Sequence, residues 1–180
     1  MKKLMIFIVV VILVLAVGLL SLVSYVKPSE AMDLNYQEVA ISGKIADIIK
    51  NRKLEVVLTE QDINNIVKKQ LAAHSTLPND LMIEGAKLRL NGSQLEADVN
   101  LRWREQIPIG ATVLFALDWS PPNIEVRHVG TQIKDKQLPS DWLQLAPVQI
   151  PLESYLPQLV GVKHVAFENQ AIRIDLKLLR

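Results

Sequence analysis

An uncharged apolar stretch near the N-terminus constrains this chain more than any other feature. Residues 4–26 read LMIFIVVVILVLAVGLLSLVSYV, and Lys2 and Lys3 precede them. As an α-helix this stretch is about 35 Å long, which is enough to cross a hydrocarbon core of roughly 30 Å. The sequence therefore predicts a transmembrane helix, with the rest of the chain on one side of a membrane.

The charges that flank this stretch predict its orientation. Lysines stay on the cytoplasmic side of an anchor, so Lys2 and Lys3 predict a cytoplasmic N-terminus. The chain is then expected to cross the cell membrane once, with its C-terminal domain on the extracytoplasmic side. The alternative is a cleaved signal peptide, since Ser29 and Ala31 have the spacing of a cleavage site. The apolar region of a signal peptide has about 7–15 residues, and the longer stretch here favours an uncleaved signal anchor over residues 1–27.

Charge and composition exclude several classes of function for the remainder of the chain. Without Lys2 and Lys3, the 20 basic residues fall to 18 against 19 acidic ones, a net charge of −1. Nucleic acid binding needs a concentrated basic face, so no nucleic acid partner is expected. The absence of cysteine excludes thiolate catalysis and thiolate metal sites. Residues 28–36 are polar and predict a linker, which leaves residues 37–180 as one extracytoplasmic domain.

The clearest helix start in this domain follows a short apolar strand. LEVVL at residues 54–58 is rich in branched side chains and predicts that strand. TEQD at residues 59–62 then places a capping hydroxyl before acids in the first turn of a helix. Apolar residues at helical spacing continue the pattern to about Ala73. A shorter helix is predicted at residues 43–51.

From residue 82 onward the period of the apolar residues changes from helical to alternating. Residues 82–90 and 93–104 flank Asn-Gly at 91–92, the strongest short signal for a β-hairpin. A turn made of these two residues pairs Leu88 with Leu95. The sequence therefore predicts an antiparallel hairpin in this register.

A longer strand is predicted at residues 109–119, and both of its faces are partly apolar. One face carries the odd-numbered apolar residues, which end with Trp119, and the other carries Leu114 and Ala116. We expect the first face to pack on the main helix. The second face must also leave water, so a further layer of chain or an apolar ligand is expected to cover it. The segment 147–157 contains three prolines and is a poor permanent cover.

The remaining elements complete the predicted fold. They are strands at residues 124–133, 161–167 and 172–178, a helical turn near Trp142 and a short helix within residues 152–159. In the closing hairpin, His164 is expected opposite Asp175. The sequence as a whole predicts an α+β fold, in which a curved antiparallel sheet of about six strands has one main helix packed across it.

The order of these elements resembles the YpmS family of membrane-anchored Gram-positive envelope proteins. The N-terminal apolar segment, LEVVLTEQDINNIVKKQL, the hairpin KLRLNGSQLEADVNL and the strand IPIGATVLFAL carry the resemblance. It continues through PPNIEVRHVGTQI and LPSDWL to VAFENQAIRIDL. It implies an envelope protein, and it supplies no site residues because the function of the family is unknown. A helix laid against a long antiparallel sheet is also similar in outline to tubular lipid-binding domains, which is a likeness of fold only.

No motif in the sequence indicates catalysis. His74, His128 and His164 lack a metal-ligand partner at a recognised spacing. The serines lie outside a nucleophile elbow, and the glycines form no phosphate-binding loop. We therefore expect no enzyme activity, no catalytic residue, no metal and no cofactor. For the tryptophans, core packing is favoured over a place in a groove or at a membrane interface.

Three functions are compatible with these features. The first is a non-catalytic, membrane-tethered domain that binds an acyl chain or another apolar ligand in a groove beside residues 147–157, with Leu114, Ala116 and Trp119 as its ligand-binding residues. The second is an accessory or scaffold that holds a partner envelope enzyme or complex near the membrane. An enzyme is the third and has the least support. A continuous apolar cavity favours the first function, and a packed core with an exposed apolar patch favours the second.

Overall fold

The computed structural model describes residues 2–39, 54–77, 80–139 and 145–179. The elements in these ranges are α1 (Lys2–Val26), β1 (Glu55–Thr59), α2 (Glu60–Ala73), β2 (Thr76–Leu77), β3 (Leu81–Asn91), β4 (Gln94–Trp103), β5 (Ile107–Ser120), β6 (Asn123–Ile133), β7 (Lys136–Gln137), β8 (Val148–Pro151), a 3₁₀ helix (Leu152–Tyr155), β9 (Val160–Glu168) and β10 (Ala171–Leu178). The helix predicted at residues 43–51 and the turn predicted near Trp142 lie outside the described residues.

Helix α2 begins where its capping residues predict. The backbone N–H of Asp62 donates to the Thr59 hydroxyl at 3.2 Å, and the Asp62 carboxylate accepts from the backbone N–H of Thr59 at 2.9 Å. This capping box satisfies two N–H groups that have no partner inside the helix. At the other end, the backbone N–H of His74 closes the last turn on the carbonyl of Gln70 at 3.1 Å. The predicted helix is therefore confirmed.

Within the described ranges the strands form two antiparallel sheets, whereas the sequence predicted one. The large sheet has seven strands in the order β2-β3-β4-β5-β6-β7, with β8 also paired to β6. The small sheet has three strands in the order β1-β10-β9. The α+β fold class is confirmed, with an open large sheet. The second sheet was missed because alternation identifies strands but not their partners, and β1 pairs with a strand from the far end of the chain.

The hydrophobic core lies between the two sheets. Val113 and Leu117 of β5 pack in one cluster with Val162 and Val165 of β9. Helix α2 instead contacts β3 and β1. The expectation that this face of β5 packs on the main helix is therefore wrong, because the closing hairpin occupies that face.

The hairpin of β3 and β4 has a register two residues away from the predicted one. Leu90 pairs with Leu95, and Leu88 pairs with Ala97. Its turn starts one residue later than predicted, because Gly92, with φ of 57°, is the turn residue in the left-handed region. Glycine at the first central position is typical of a type II′ turn. A shift of two residues keeps the side chains from Ala86 to Leu90 on their predicted faces. A bulge between Ile83 and Gly85 moves Met82 to the other face, opposite Arg102, and places Ile83 opposite Leu101 instead.

The closing hairpin of β9 and β10 has the predicted pairing near its turn. His164 lies opposite Asp175, as the sequence predicts. The turn residue Gln170 has φ of 65°. Its backbone N–H donates to the carbonyl of Leu90 at 3.0 Å, which joins this turn to the large sheet.

The segment that follows α1 lies across the outer face of the large sheet. Its residues 28–36 have the composition of a linker, yet their backbone bonds to the sheet. The Asn100 side-chain amide donates to the carbonyl of Glu30 at 2.9 Å, and the backbone N–H of Ala86 donates to the carbonyl of Asp33 at 3.3 Å. We call residues 28–39 the strap.

Two glycines make this close approach of the strap sterically feasible. A Cβ atom at Gly110 would lie 2.7 Å from Cα of Pro28. A Cβ atom at Gly85 would overlap the backbone carbonyl of Met32. Gly85 and Gly110 both pair with Asn100, so the three residues form one row across the sheet beneath the strap.

Candidate functional site

A cavity of about 400 Å³ lies between α2, the small sheet and the segment that contains β8 and the 3₁₀ helix. Its size falls within the range of roughly 300–1,000 Å³ that is usual for small-molecule sites. Most of the side chains that line it are apolar, and its few polar groups lie on the strap and on α2. These properties are those of a site for an apolar ligand with a polar end.

Helix α2 contributes one wall, and it is held against β3 by the Asn64 side chain, which donates to the Leu88 carbonyl at 2.8 Å and accepts from the Leu88 backbone N–H at 2.7 Å. Ile63 and Val67, one turn apart, pack against the edge of the core, while Ile66 lines the cavity and lies outside the core cluster. No residue of α2 is fully buried, although its sequence is amphipathic. Space therefore remains below the helix, where a closely packed core would normally leave none.

The floor of the cavity belongs to the inner face of the small sheet. Val56, Ile172 and Ile174 line it, and each of them is a buried residue of the core. Ile124 of β6 closes the side toward the large sheet. The cavity is therefore continuous with the hydrophobic core, and an apolar chain inside it would lose contact with water.

The segment 147–157 flanks this cavity. Strand β8 pairs with the edge of β6, where Ile150 lies opposite Ile124. Leu152 and Leu156 pack against the core and also line the cavity. A groove beside this segment was expected from the sequence, but its floor is the small sheet, and Leu114 takes no part in it.

The polar rim of the cavity joins the strap to α2. Lys69 forms an ion pair with Glu38 at 2.8 Å, and the backbone N–H of Gln37 donates to the side-chain oxygen of Asn65 at 3.1 Å. The hydrogen bond to Glu38 raises the pKa of Lys69, so this side chain remains a cation at the rim. Because Glu38 neutralises this cation, the rim is polar without a net charge at this point, which suits a polar head group.

The three residues predicted to bind a ligand are not brought together. Leu114 is half-buried on the outer face, opposite Glu96 and Gly130. Ala116 lies on the same face, and Trp119 packs against the core on the inner face. None of the three is among the described residues that line the cavity.

The neighbours of Leu114 explain why the outer face is not an apolar groove. Glu96, directly opposite Leu114, accepts from Arg89 at 3.0 Å, and Arg89 also pairs with Asp98 at 2.9 Å. Leu114 therefore lies among paired charges, which its own strand does not reveal. The cavity had a sequence signal of its own, since Ile66 is an apolar residue between the two that pack on the core.

A second, smaller pocket of about 160 Å³ lies beneath the strap. The side chain of Asn100 is 6% exposed there, and its Oδ1 has no hydrogen-bond partner among the residues that the structure describes. Asp98 also lines the pocket and accepts from the Thr112 hydroxyl at 2.6 Å. The pocket has a mixed polar and apolar lining and is large enough for an ordered water, the usual partner of such an acceptor.

His128 and His74 each contact a neighbouring group of the fold. Nε2 of His128 is 2.9 Å from the Thr131 hydroxyl, and its ring contacts that of Phe115 edge to face at 6.0 Å between centroids. Nδ1 of His74 is 3.3 Å from the Gln70 carbonyl at the end of α2. In the ranges that the structure describes, no three His, Asp or Glu side chains are grouped so that they could hold a metal ion.

Helix α1 has the length and composition of a membrane span. Its residues Ile8–Val26 have a mean hydropathy of 2.9, and none of them is buried in the rest of the molecule. An N-terminal signal sequence has the same properties. The helix is therefore compatible with a transmembrane anchor or with a signal sequence.

Comparison with known proteins identifies no relative. No protein-family model matches the chain, and neither the curated proteins nor the solved structures contain a significant match.

Proposed function

We propose that this protein is a non-catalytic binding domain, tethered to the outer side of the cell membrane, that takes up the apolar chain of a lipid or a similar ligand. The observation that carries the proposal is the apolar cavity of about 400 Å³ below α2, with Lys69 at its rim. An apolar cavity of this kind with few polar groups at its edge is the usual form of a ligand site.

We further propose that α1 stays attached and that the chain crosses the membrane once, with its N-terminus in the cytoplasm. Cleavage after Ala31 would remove the Glu30 carbonyl, to which the buried Asn100 amide donates at 2.9 Å. A buried amide that loses its acceptor is costly, which supports the uncleaved anchor. Intact-mass analysis of membrane-extracted protein tests this, and a mature N-terminus at Met32 would contradict it.

The proposed ligand site is tested on residues 28–180, produced without α1 so that lipid bound to the anchor cannot obscure the result. Native mass spectrometry and lipid extraction are expected to find a bound acyl lipid or fatty acid. Ile66→Glu is expected to weaken binding of a fluorescent fatty acid at least tenfold. Burial of an unpaired polar group costs roughly 2–7 kcal/mol, and about 1.4 kcal/mol is already a factor of ten.

Leu114→Glu is the matched control for this experiment. It introduces the same charge on the outer face of the large sheet, away from the cavity, and it is expected to leave ligand binding unchanged. Because Ile66 lies outside the core cluster, the fold is expected to survive in both variants, which circular dichroism checks. Loss of binding in Leu114→Glu alone would instead place the ligand in the groove first expected from the sequence.

A scaffold that holds a partner envelope protein is the second candidate, because one region carries exposed apolar side chains. Tyr155, Leu159 and Leu178 are 60%, 71% and 64% exposed. Exposed apolar patches mark contact surfaces on soluble domains. A lipid-free domain that is indifferent to fatty acid, together with a photo-crosslink from position 159 to one envelope protein, would favour this function over ligand binding.

A further inference from the structure

One end of the large sheet finishes in a row of apolar residues. Leu77, Leu81, Trp103 and Ile107 pair in succession across β2, β3, β4 and β5. Leu77 and Trp103 are each 37% exposed. Leu81 and Ile107 are half-buried, so the row is a continuous and partly exposed apolar edge. Single exposed apolar residues are ordinary, whereas a continuous apolar edge is a candidate contact surface for another apolar phase. We call these four residues the end row.

Helix α1 leaves the domain at the same end of the sheet. The ammonium of Lys134, in the turn between β6 and β7, lies 4.9 Å from the ring centroid of Tyr25, near the end of α1. Helix α1 also contacts β5. From its last pair with β6, at Thr112, strand β5 continues to Ile107, which is about 16 Å at roughly 3.3 Å per residue. The hairpin of β4 and β5 therefore projects beyond β6 on the side where α1 departs.

Two non-glycine residues at the tip of this hairpin have the left-handed backbone conformation that favours glycine. Arg104 and Glu105 have φ of 49° and 59°. Positive φ disfavours residues with a side chain. The guanidinium carbon of Arg104 lies 5.0 Å from the ring centroid of Trp103. The tip thus presents an aromatic ring and a long cationic side chain together, a combination typical of the boundary between hydrocarbon and water.

We propose that the end row and the hairpin tip rest in the interfacial layer of the bilayer that α1 enters, with Trp103 as the main contact. The proposal requires the transmembrane anchor of the proposed function, but it is independent of the cavity. The interfacial layer is roughly 5–8 Å thick on each side, so a hairpin that projects beside the departing helix reaches it. The bilayer thereby covers the exposed apolar row.

Lipid charge has little part in this contact. The basic side chains near the tip and the neighbouring turn are Lys27, Arg104, Lys134 and Lys136, and the acidic ones are Asp80, Glu105 and Asp135. Attraction of cations to anionic lipids is therefore largely offset by the carboxylates. We expect the hairpin tip to lie at the same depth in phosphatidylcholine bilayers with and without phosphatidylglycerol.

Site-directed spin labels test the proposal, since the chain contains no cysteine of its own. The full chain is reconstituted in nanodiscs of these two compositions with a label at Glu105→Cys. The matched control is Ser93→Cys in the turn at the opposite end of β4. The ratio of oxygen to nickel-chelate accessibility is expected to be several-fold higher at position 105 than at position 93. Equal ratios would overturn the proposal.

Two further variants separate the remaining outcomes. Trp103→Ala is expected to move the label at position 105 toward the values of position 93, while Trp103→Phe keeps it in the interface; thermal melts confirm that both variants fold. A label at Leu15→Cys reports separately whether α1 spans the bilayer. A membrane-buried position 15 with a water-exposed position 105 rejects this proposal alone. Dipolar broadening between labels at position 105 would show that a second copy covers the end row, which also rejects it.

Discussion

The two faces of the large sheet are held by different forces, although β5 carries apolar side chains on both. On the inner face, Val113 and Leu117 are buried against the small sheet. On the outer face, Leu114 lies opposite Glu96, which pairs with Arg89 at 3.0 Å. Removal of apolar area from water therefore stabilises the inner face, and surface ion pairs and the strap stabilise the outer one.

A strand with two apolar faces therefore does not by itself indicate a ligand site. The surroundings of a residue in a sheet depend on its cross-strand neighbours as much as on its own strand. Leu114 has charged neighbours, so its partial exposure needs no ligand to explain it. The apolar space lies on the inner side, between α2, the small sheet and the segment that contains β8, and Ile66 lines it.

The difference in stability between the two faces is expected to be greatest for alanine substitutions of two leucines in β5. Leu117→Ala is expected to lower the free energy of unfolding by about 2–5 kcal/mol, because it opens a cavity in the packed core. Leu114→Ala is expected to cost about 1 kcal/mol or less, since its site is half-exposed and collapses easily. Urea denaturation of both variants measures the difference. Equal losses would show that the outer face is packed as tightly as the inner one.

The features that the sequence predicts well depend on residues close together in the chain. The capping box of Thr59 and Asp62 spans three residues and fixes the start of α2. Alternation likewise locates β5 and assigns Leu114 and Leu117 to opposite faces. These predictions hold because local sterics and hydrogen bonds decide them.

The features that the sequence does not predict depend on residues far apart. Strand β1 is hydrogen-bonded to β10, with Glu55 opposite Asp175 in the register. No local pattern indicates that strand pairing or the second sheet that it creates. The strap is equally non-local, because polar residues that read as a linker bond to Ala86 and Asn100. The cavity is a gap between three such non-local neighbours, so its place follows only from the assembled fold.

A smaller loss of stability is expected from a substitution that prevents the strap from packing closely on the outer face. Gly85→Ala places a Cβ atom on the Met32 carbonyl, so the strap must shift and its bond to Ala86 weakens. We expect a loss of roughly 1–3 kcal/mol in unfolding free energy, typical of overpacking, with faster hydrogen exchange of the Ala86 amide.

The matched control for the strap is Gly130→Ala on the same sheet. Its Cβ atom would meet only the flexible end of Gln137, at 3.2 Å, so little change in stability is expected. If Gly85→Ala and Gly130→Ala melt alike, the strap contributes nothing to the outer face.

A still smaller effect separates the two faces by their response to salt. Arg89→Met removes the pairs with Glu96 and Asp98, and we expect a loss of about 0.2–1 kcal/mol at low ionic strength. At about 1 M salt the Debye length falls to roughly 3 Å, so this loss should shrink toward zero. The loss in Leu117→Ala should persist, because burial of apolar area is not screened. A salt-independent loss in Arg89→Met would mean that its alkyl stem, rather than its charge, stabilises the outer face.

The smallest effect is a local response of the strap to pH, and it depends on Asp33. Hydrogen bonds from the backbone and side chain of Asn35, at 3.0 and 2.9 Å, and then the ammonium of Lys68 hold the pKa of Asp33 below its ordinary value. The Asp33 carboxylate binds a proton more readily in the unfolded strap than in the folded one. Ionised Asp33 therefore stabilises the folded strap fully above the ordinary pKa of aspartate, about 4, and this stabilisation is lost as the pH falls through the lowered pKa. The amide resonance of Ala86, which donates to the Asp33 carbonyl, is expected to report this loss as the pH falls below the ordinary pKa of aspartate. Asp33→Asn should remove the response, and a transition that survives this substitution would contradict its assignment to Asp33.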